Sequence, residues 1–124
     1  MDEEKLNRLP ADVKKQFVKL AEKLTEKKQK TKVHDDFLTF VKHVWPEFIE
    51  GAHHKKIAEK FNDIANKKIK RLIINMPPRH TKSEFASFLL PAWMVGRRPN
   101  LKIIQSTHTT ELAIRFGRKA KTLM

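Results

Sequence analysis

The sequence predicts an α/β protein in which a helical N-terminal extension is followed by strands and helices in alternation. Three observations predict it. Two short apolar runs, Leu72-Ile73-Ile74 within Arg71–Asn75 and LKIIQS over Leu101–Ser106, have the length and β-branched content of strands. Helical spacing of apolar residues precedes the first run and follows both. The connections are short, which implies parallel strands joined by a right-handed crossover.

Pro10 suits the first turn of a helix running to about Gln29, in which Val13, Phe17, Leu20 and Leu24 form one apolar stripe. Lys14, Lys15, Lys19, Glu22, Lys23 and Glu26 surround the stripe as a solvated or DNA-facing surface. The run Lys27 to Lys32 breaks the pattern and reads as a basic linker. A second helix is predicted over Asp35 to Val44, with Phe37, Phe40, Val41 and Val44 inward. Asp35 and Asp36 could belong to a metal site, but they follow no apolar strand, and helix-start residues are the favoured reading. Trp45-Pro46 ends that helix, because a residue before proline is pushed out of the α region. A third helix starts near Ala52 with Ile57, Phe61 and Ile64 on one face. After the first strand comes a helix from Ser83 to about Trp93, with Phe85, Phe88, Leu89 and Leu90 covering the sheet and Pro91 kinking or ending it. Gly96 to Asn100 is a turn signal. Thr107 to Thr110 caps a last helix carrying Leu112, Ala113, Ile114 and Phe116.

Composition bounds the function. A chain of 124 residues suits one small domain or a piece of a larger one. It has no cysteine, which excludes disulfides and Cys-type zinc sites. The start MDEEKLNRLP is acidic and polar, so no signal peptide and no secretion are expected. No apolar run approaches the length of about 18 residues that a membrane span needs. The formal net charge of +13 attracts polyanions, and nucleic-acid proximity is favoured over lysines that are merely solvated.

The stretch RLIINMPPRHTKSEF, Arg71 to Phe85, carries the chemistry. A strand, a tight turn on Pro77 and Pro78, and a helix opening with Lys82-Ser83 is the layout of a phosphate-binding P-loop. The first N–H groups of such a helix lack intrahelical partners, and its dipole favours an anion there. The strict pattern G-x-x-x-x-G-K-[ST] is met only at its last two positions: Met76 and Thr81 stand where glycines are expected. If Thr81 needs a positive φ, its branched side chain is strained by roughly 1–2 kcal/mol. A lysine at a helix N-terminus is at the wrong end for a cation, which itself favours a bound anion.

From His53 onward the chain resembles the start of the ATPase domain of tailed-phage large terminase subunits, the motors that package viral DNA. That family's loop reads close to MPPRHGKS; Pro77, Pro78, Arg79, His80, Lys82 and Ser83 match it, and Thr81 departs from its glycine. The resemblance implies a partial RecA-like P-loop core over residues 52–124 behind a helical extension over 1–51. It implies ATP and Mg²⁺ as cofactors, with Pro77 to Ser83 around the phosphates, Lys82 on the β- and γ-phosphates and Ser83 ligating Mg²⁺. It gives Arg79 a catalytic part as a cis charge stabiliser or nucleotide sensor, with a surface loop arginine as the alternative. His53 and His54 would contact adenine by the same resemblance; packing or surface histidines are favoured. Implied partners are double-stranded DNA, the portal protein and the small terminase subunit, in a ring oligomer in the host cytoplasm, from a virus or prophage.

No apolar strand ending in paired acids follows the loop, and no RNase H-like nuclease domain is present. The expectation is a truncated copy that binds nucleotide phosphates at most and does not turn ATP over alone. Two rivals stand beside it. One is another P-loop DNA translocase or helicase-like ATPase, and the other is a non-enzymatic basic DNA-binding module with a vestigial loop.

Overall fold

Ala11–Asp35 is rich in lysine and has no glycine or proline, so nothing in it interrupts a helix. It forms a single helix, α1, in the computed structural model, which describes residues 10–124. Pro10 lies just before it and accepts the Lys14 N–H at 3.0 Å. The basic linker expected over Lys27–Lys32 is therefore helix: like charge alone does not outweigh the helical preference of four lysines and Gln29. The acidic start that argues against a signal peptide lies outside the described residues. The chain divides after Thr31 into two compact units.

Asp36 stops α1 and starts α2, Phe37–Val44. Its carboxylate accepts the Thr39 N–H at 2.8 Å and the Thr39 hydroxyl at 2.7 Å, the standard N-cap chemistry. Asn62, on α3 (Ala52–Ala65), donates to the other Asp36 oxygen at 2.8 Å and accepts the Phe37 N–H at 2.9 Å. Burial opposes the charged form of Asp36, but the bonds from Thr39 and Asn62 outweigh it and hold its carboxyl below the ordinary range. The reading of Asp36 as a helix-start residue holds, whereas Asp35 is the last residue of α1 and not the start of α2. Trp45 caps the C-terminus of α2, as the following proline requires.

The α/β expectation fails. Among the described residues there is no β-strand, so there is no sheet and no RecA-like core of parallel strands. Residues 71–77 do show the period of an extended chain: Leu72, Ile74 and Met76 are half-buried, while Arg71, Ile73, Asn75 and Pro77 are exposed. Their backbone groups exchange no hydrogen bond with another backbone segment. The apolar side of this run packs on helices instead of on a sheet. Residues 102–107 likewise form no ladder, and Ile104 is 96% exposed. A strand is defined by its partner, and two isolated short runs do not supply the three or more strands of an independent sheet.

The core is helical. Phe37, Val41, Ile57, Phe61, Phe85, Leu89 and Trp93 are buried together. Phe37 is at its centre, edge-to-face with Phe61, Phe85 and Trp93 at centroid distances of 5.1, 5.4 and 5.4 Å. Such pairs add about 0.5–1.5 kcal/mol each beyond area burial. Trp93 Nε1 also donates to the Val33 carbonyl in the last turn of α1 at 3.1 Å, satisfying one of the carbonyls a helix end leaves open.

Trp93 belongs to α4, which runs without a break through α-helix Lys82–Glu84, π-helix Phe85–Leu89 and α-helix Leu90–Arg97. Pro91 neither ends nor replaces it. A proline has no N–H for the carbonyl one turn earlier, here Ser87, and its ring crowds that carbonyl. The π stretch widens the turn before Pro91, and Gln105 Nε2 donates to the Ser87 carbonyl at 2.8 Å. The last helix, α5, spans Thr110–Leu123, with Thr109 as its N-cap as the sequence predicts. It buries Ala120 and places Lys119 over the Phe88 ring at 4.9 Å.

Candidate functional site

The loop Pro77–Thr81 connects the extended run to the first turn of α4. Pro77, Pro78, Arg79 and His80 are exposed, as a ligand-accessible loop requires. His80 Nδ1 donates to the Pro78 carbonyl at 3.0 Å and tightens the turn. Two residues adopt the left-handed backbone: Arg79 at φ 65° and Thr81 at φ 56°, ψ 9°. The strain foreseen at Thr81 is present, and Arg79 shares it.

The Thr81 hydroxyl does not cap α4. It donates to the His80 carbonyl at 2.7 Å and lies 2.6 Å from His54 Nε2. Meanwhile the Gly51 N–H donates to His54 Nδ1 at 2.9 Å. A ring nitrogen that accepts carries no proton, so neutral His54 holds its proton on Nε2 and donates it to Thr81. One imidazole therefore ties the N-terminus of α3 to the loop. His54 is only 6% exposed and packs against Phe48 and Phe85. Burial, and after it the neighbouring His53, pushes its pKa down; Glu50 pulls the other way and His80 adds to the lowering. His54 is thus a buried structural residue of the loop. The burial of His54 fits the sequence expectation of a packing histidine, which missed the bond to Thr81. Twenty-seven residues separate the pair, and no periodicity links them.

Gly51 leaves room for the His53 ring. A Cβ there would come within 2.9 Å of His53 Cε1 and 3.1 Å of His53 Nδ1. The His53 ring is tilted against that of His54 at a centroid distance of 3.8 Å and edge-to-face with that of His80 at 5.7 Å. These histidines do not make a metal centre: among the described residues, no three His, Asp or Glu side chains come together as one.

With the Thr81 hydroxyl committed elsewhere, the first N–H groups of α4 have no side-chain cap. Lys82 and Ser83 are on this uncapped turn, Lys82 half-buried and Ser83 exposed. Lys82 Nζ bends back to the Met76 carbonyl at 3.4 Å, so its ammonium lies across the mouth of the loop. Arg79, Lys82, Ser83 and the open helix end lie on one segment, with Arg79 and Ser83 exposed. These groups suit a phosphate: orphan N–H donors, an ammonium, a guanidinium on the same loop and a hydroxyl able to ligate an accompanying cation. No described helix is long and apolar enough to cross a membrane. No family model, curated protein or solved structure matches this chain.

Proposed function

We propose that Pro77–Ser83 is a phosphate-binding loop for Mg-ATP in a basic, DNA-associated protein of the large-terminase type. The observation that carries the proposal is the uncapped start of α4, where Lys82 and Ser83 lie behind two left-handed loop residues. Support comes from this loop alone, with no sheet behind it. Bound nucleotide would find Lys82 and the first N–H groups of α4 at its phosphates, Ser83 at the cation and Arg79 at the outer edge. Magnesium supplies charge neutralisation between phosphates when it accompanies the nucleotide. The Thr81 methyl sits where glycine would leave room, so binding is weaker than in a glycine loop. The sequence after the loop has no apolar strand ending in paired acids, so we propose ATP binding without turnover. Double-stranded DNA is the polyanion that the charge of +13 would attract. The portal protein, the small terminase subunit, a ring assembly and a host-cytoplasmic location belong to the same proposal.

Calorimetric titration with a non-hydrolysable Mg-ATP analogue tests it. Binding should vanish in Lys82→Ala and tighten in Thr81→Gly. No binding by folded wild-type protein would refute the phosphate loop. The competing reading, a basic DNA-binding module with a vestigial loop, draws on the charge of +13. It expects Lys82→Ala to leave DNA affinity unchanged and that affinity to fall steeply with salt.

A further inference from the structure

Thr81 and Thr109 stand at the same place, the N-cap of a helix, and behave differently. Thr109 has extended backbone, φ −134° and ψ 146°, and its hydroxyl accepts the Leu112 N–H at 3.4 Å. That is the ordinary conformation of a capping threonine. The Thr81 carbonyl likewise accepts the Phe85 N–H at 3.0 Å, but its backbone has φ 56° and ψ 9° and its hydroxyl makes no cap bond. A β-branched residue in left-handed backbone persists only where its surroundings hold it. Here the hydroxyl is held between His54 Nε2 at 2.6 Å and the His80 carbonyl at 2.7 Å. The histidine is itself anchored, with Nδ1 accepting the Gly51 N–H at 2.9 Å in a ring packed on Phe48 and Phe85.

On the reading of Pro77–Ser83 as a phosphate loop, we infer that His54 is its positioning residue. Its bond to Thr81 keeps that threonine in left-handed backbone and off the start of α4, which leaves the first N–H groups of the helix to a phosphate. Released from His54, Thr81 has the unstrained conformation of Thr109 open to it, in which its hydroxyl takes an N–H that the ligand needs. The loop is thus two-state, and the imidazole selects the state. A proton on Nδ1 would set two donors, the imidazolium and the Gly51 N–H, against each other. Both nitrogens belong to one rigid ring, so the turn that separates these donors carries Nε2 off Thr81. The charged and titratable groups around the ring are Glu50 before α3, His53 on α3 and His80 on the loop, while α4 presents Phe85. Glu50 is paired with Lys42 of α2 and Lys55 of α3, which leaves it little charge to hold an imidazolium in place. Protons on His53 and His80 would draw a phosphate in as pH falls, whereas release of Thr81 lets it go, so the two effects differ in sign.

Calorimetry with the non-hydrolysable Mg-ATP analogue, on the full chain at about pH 8 and about pH 5, tests this. It compares wild type with His54→Met, which fills the space without a donor, and with His54→Gln, which keeps a donor and takes no proton. Thr81→Gly is the fourth chain, since glycine adopts left-handed backbone freely and has no hydroxyl to cap with. Tryptophan fluorescence reports that each is folded. The Thr81 α-carbon NMR shift, which separates left-handed from extended backbone, reads the loop without ligand. At about pH 8, His54→Met should move Thr81 to extended backbone and bind about tenfold more weakly than wild type. Wild-type affinity divided by that of His54→Gln or Thr81→Gly should fall by a similar factor toward about pH 5, a ratio that cancels the titration of the nucleotide, His53 and His80. An unmoved Thr81 shift in folded His54→Met, or parallel pH profiles in wild type, His54→Gln and Thr81→Gly, would overturn the inference. Absence of nucleotide binding in wild type, with Thr81 still displaced by His54→Met, would instead refute the phosphate loop while the hold of His54 on Thr81 stands.

Discussion

Replacing Thr81 by valine removes one oxygen and keeps both the branched shape and the left-handed backbone. The strain at φ 56° is therefore unchanged, and only the hydrogen bonds differ. His54 Nε2–H would lose its acceptor within a residue that is 6% exposed, and the His80 carbonyl would lose its donor. A buried N–H left without a partner costs about 1–3 kcal/mol. The His80 carbonyl belongs to an exposed residue and recovers a bond from water, so it adds little. Thr81 is half-buried, and partial access of water to the gap places the expected loss at about 1–2 kcal/mol. Urea denaturation at about pH 8, where histidine is neutral, should show a lower midpoint at unchanged slope. Nitrogen NMR of the imidazoles should meanwhile show His54 losing its fixed Nε2–H tautomer. Thr81→Asn is the control, since asparagine tolerates the left-handed region and offers a carbonyl acceptor. If Thr81→Val shifts stability by less than about 0.3 kcal/mol and leaves the His54 nitrogens unmoved, the bridge between α3 and the loop does not exist in solution.

The same histidine makes stability depend on pH. Its pKa is lowered in the folded chain, so between the ordinary value of 6.5 and the folded value the unfolded chain binds the extra proton. The stabilisation is complete above that ordinary value and is lost as pH falls through the folded one. The urea midpoint of wild type should fall between about pH 7 and 5 more steeply than that of His54→Gln, and parallel profiles would contradict the assignment. At the other end of α3, Lys67 has φ 61° and closes a Schellman turn: its N–H donates to Ile64 O at 2.9 Å, and that of Lys68 to Asp63 O at 2.8 Å. Lys67→Gly removes the left-handed cost and gives back part of it as unfolded-state entropy, a net gain of up to about 1 kcal/mol. Thermal unfolding should move up by a few degrees; a drop would mean that the lysine side chain contributes more than its backbone costs.

The sequence by itself determined the local elements. Apolar spacing located α2, α3 and α5, Asp36 and Thr109 were readable as caps, and Trp45-Pro46 marked a stop. The strained position Thr81 and the exposed Pro77–His80 turn were also legible, because left-handed backbone and proline act within a few residues. Apolar runs such as Leu72–Ile74 have the length and β-branched content of strands, but neither property says anything about partners. Only the tertiary structure decided that no strand pairs with them and that their inner side rests on helices. It alone decided that α4 passes through Pro91, because the relief comes from Gln105, eighteen residues away from Ser87. It likewise decided that His54 belongs to the loop, through a hydrogen bond spanning twenty-seven residues. Caps and turns are set by neighbours along the chain, whereas sheets, relieved prolines and buried imidazoles depend on which distant groups fold against them.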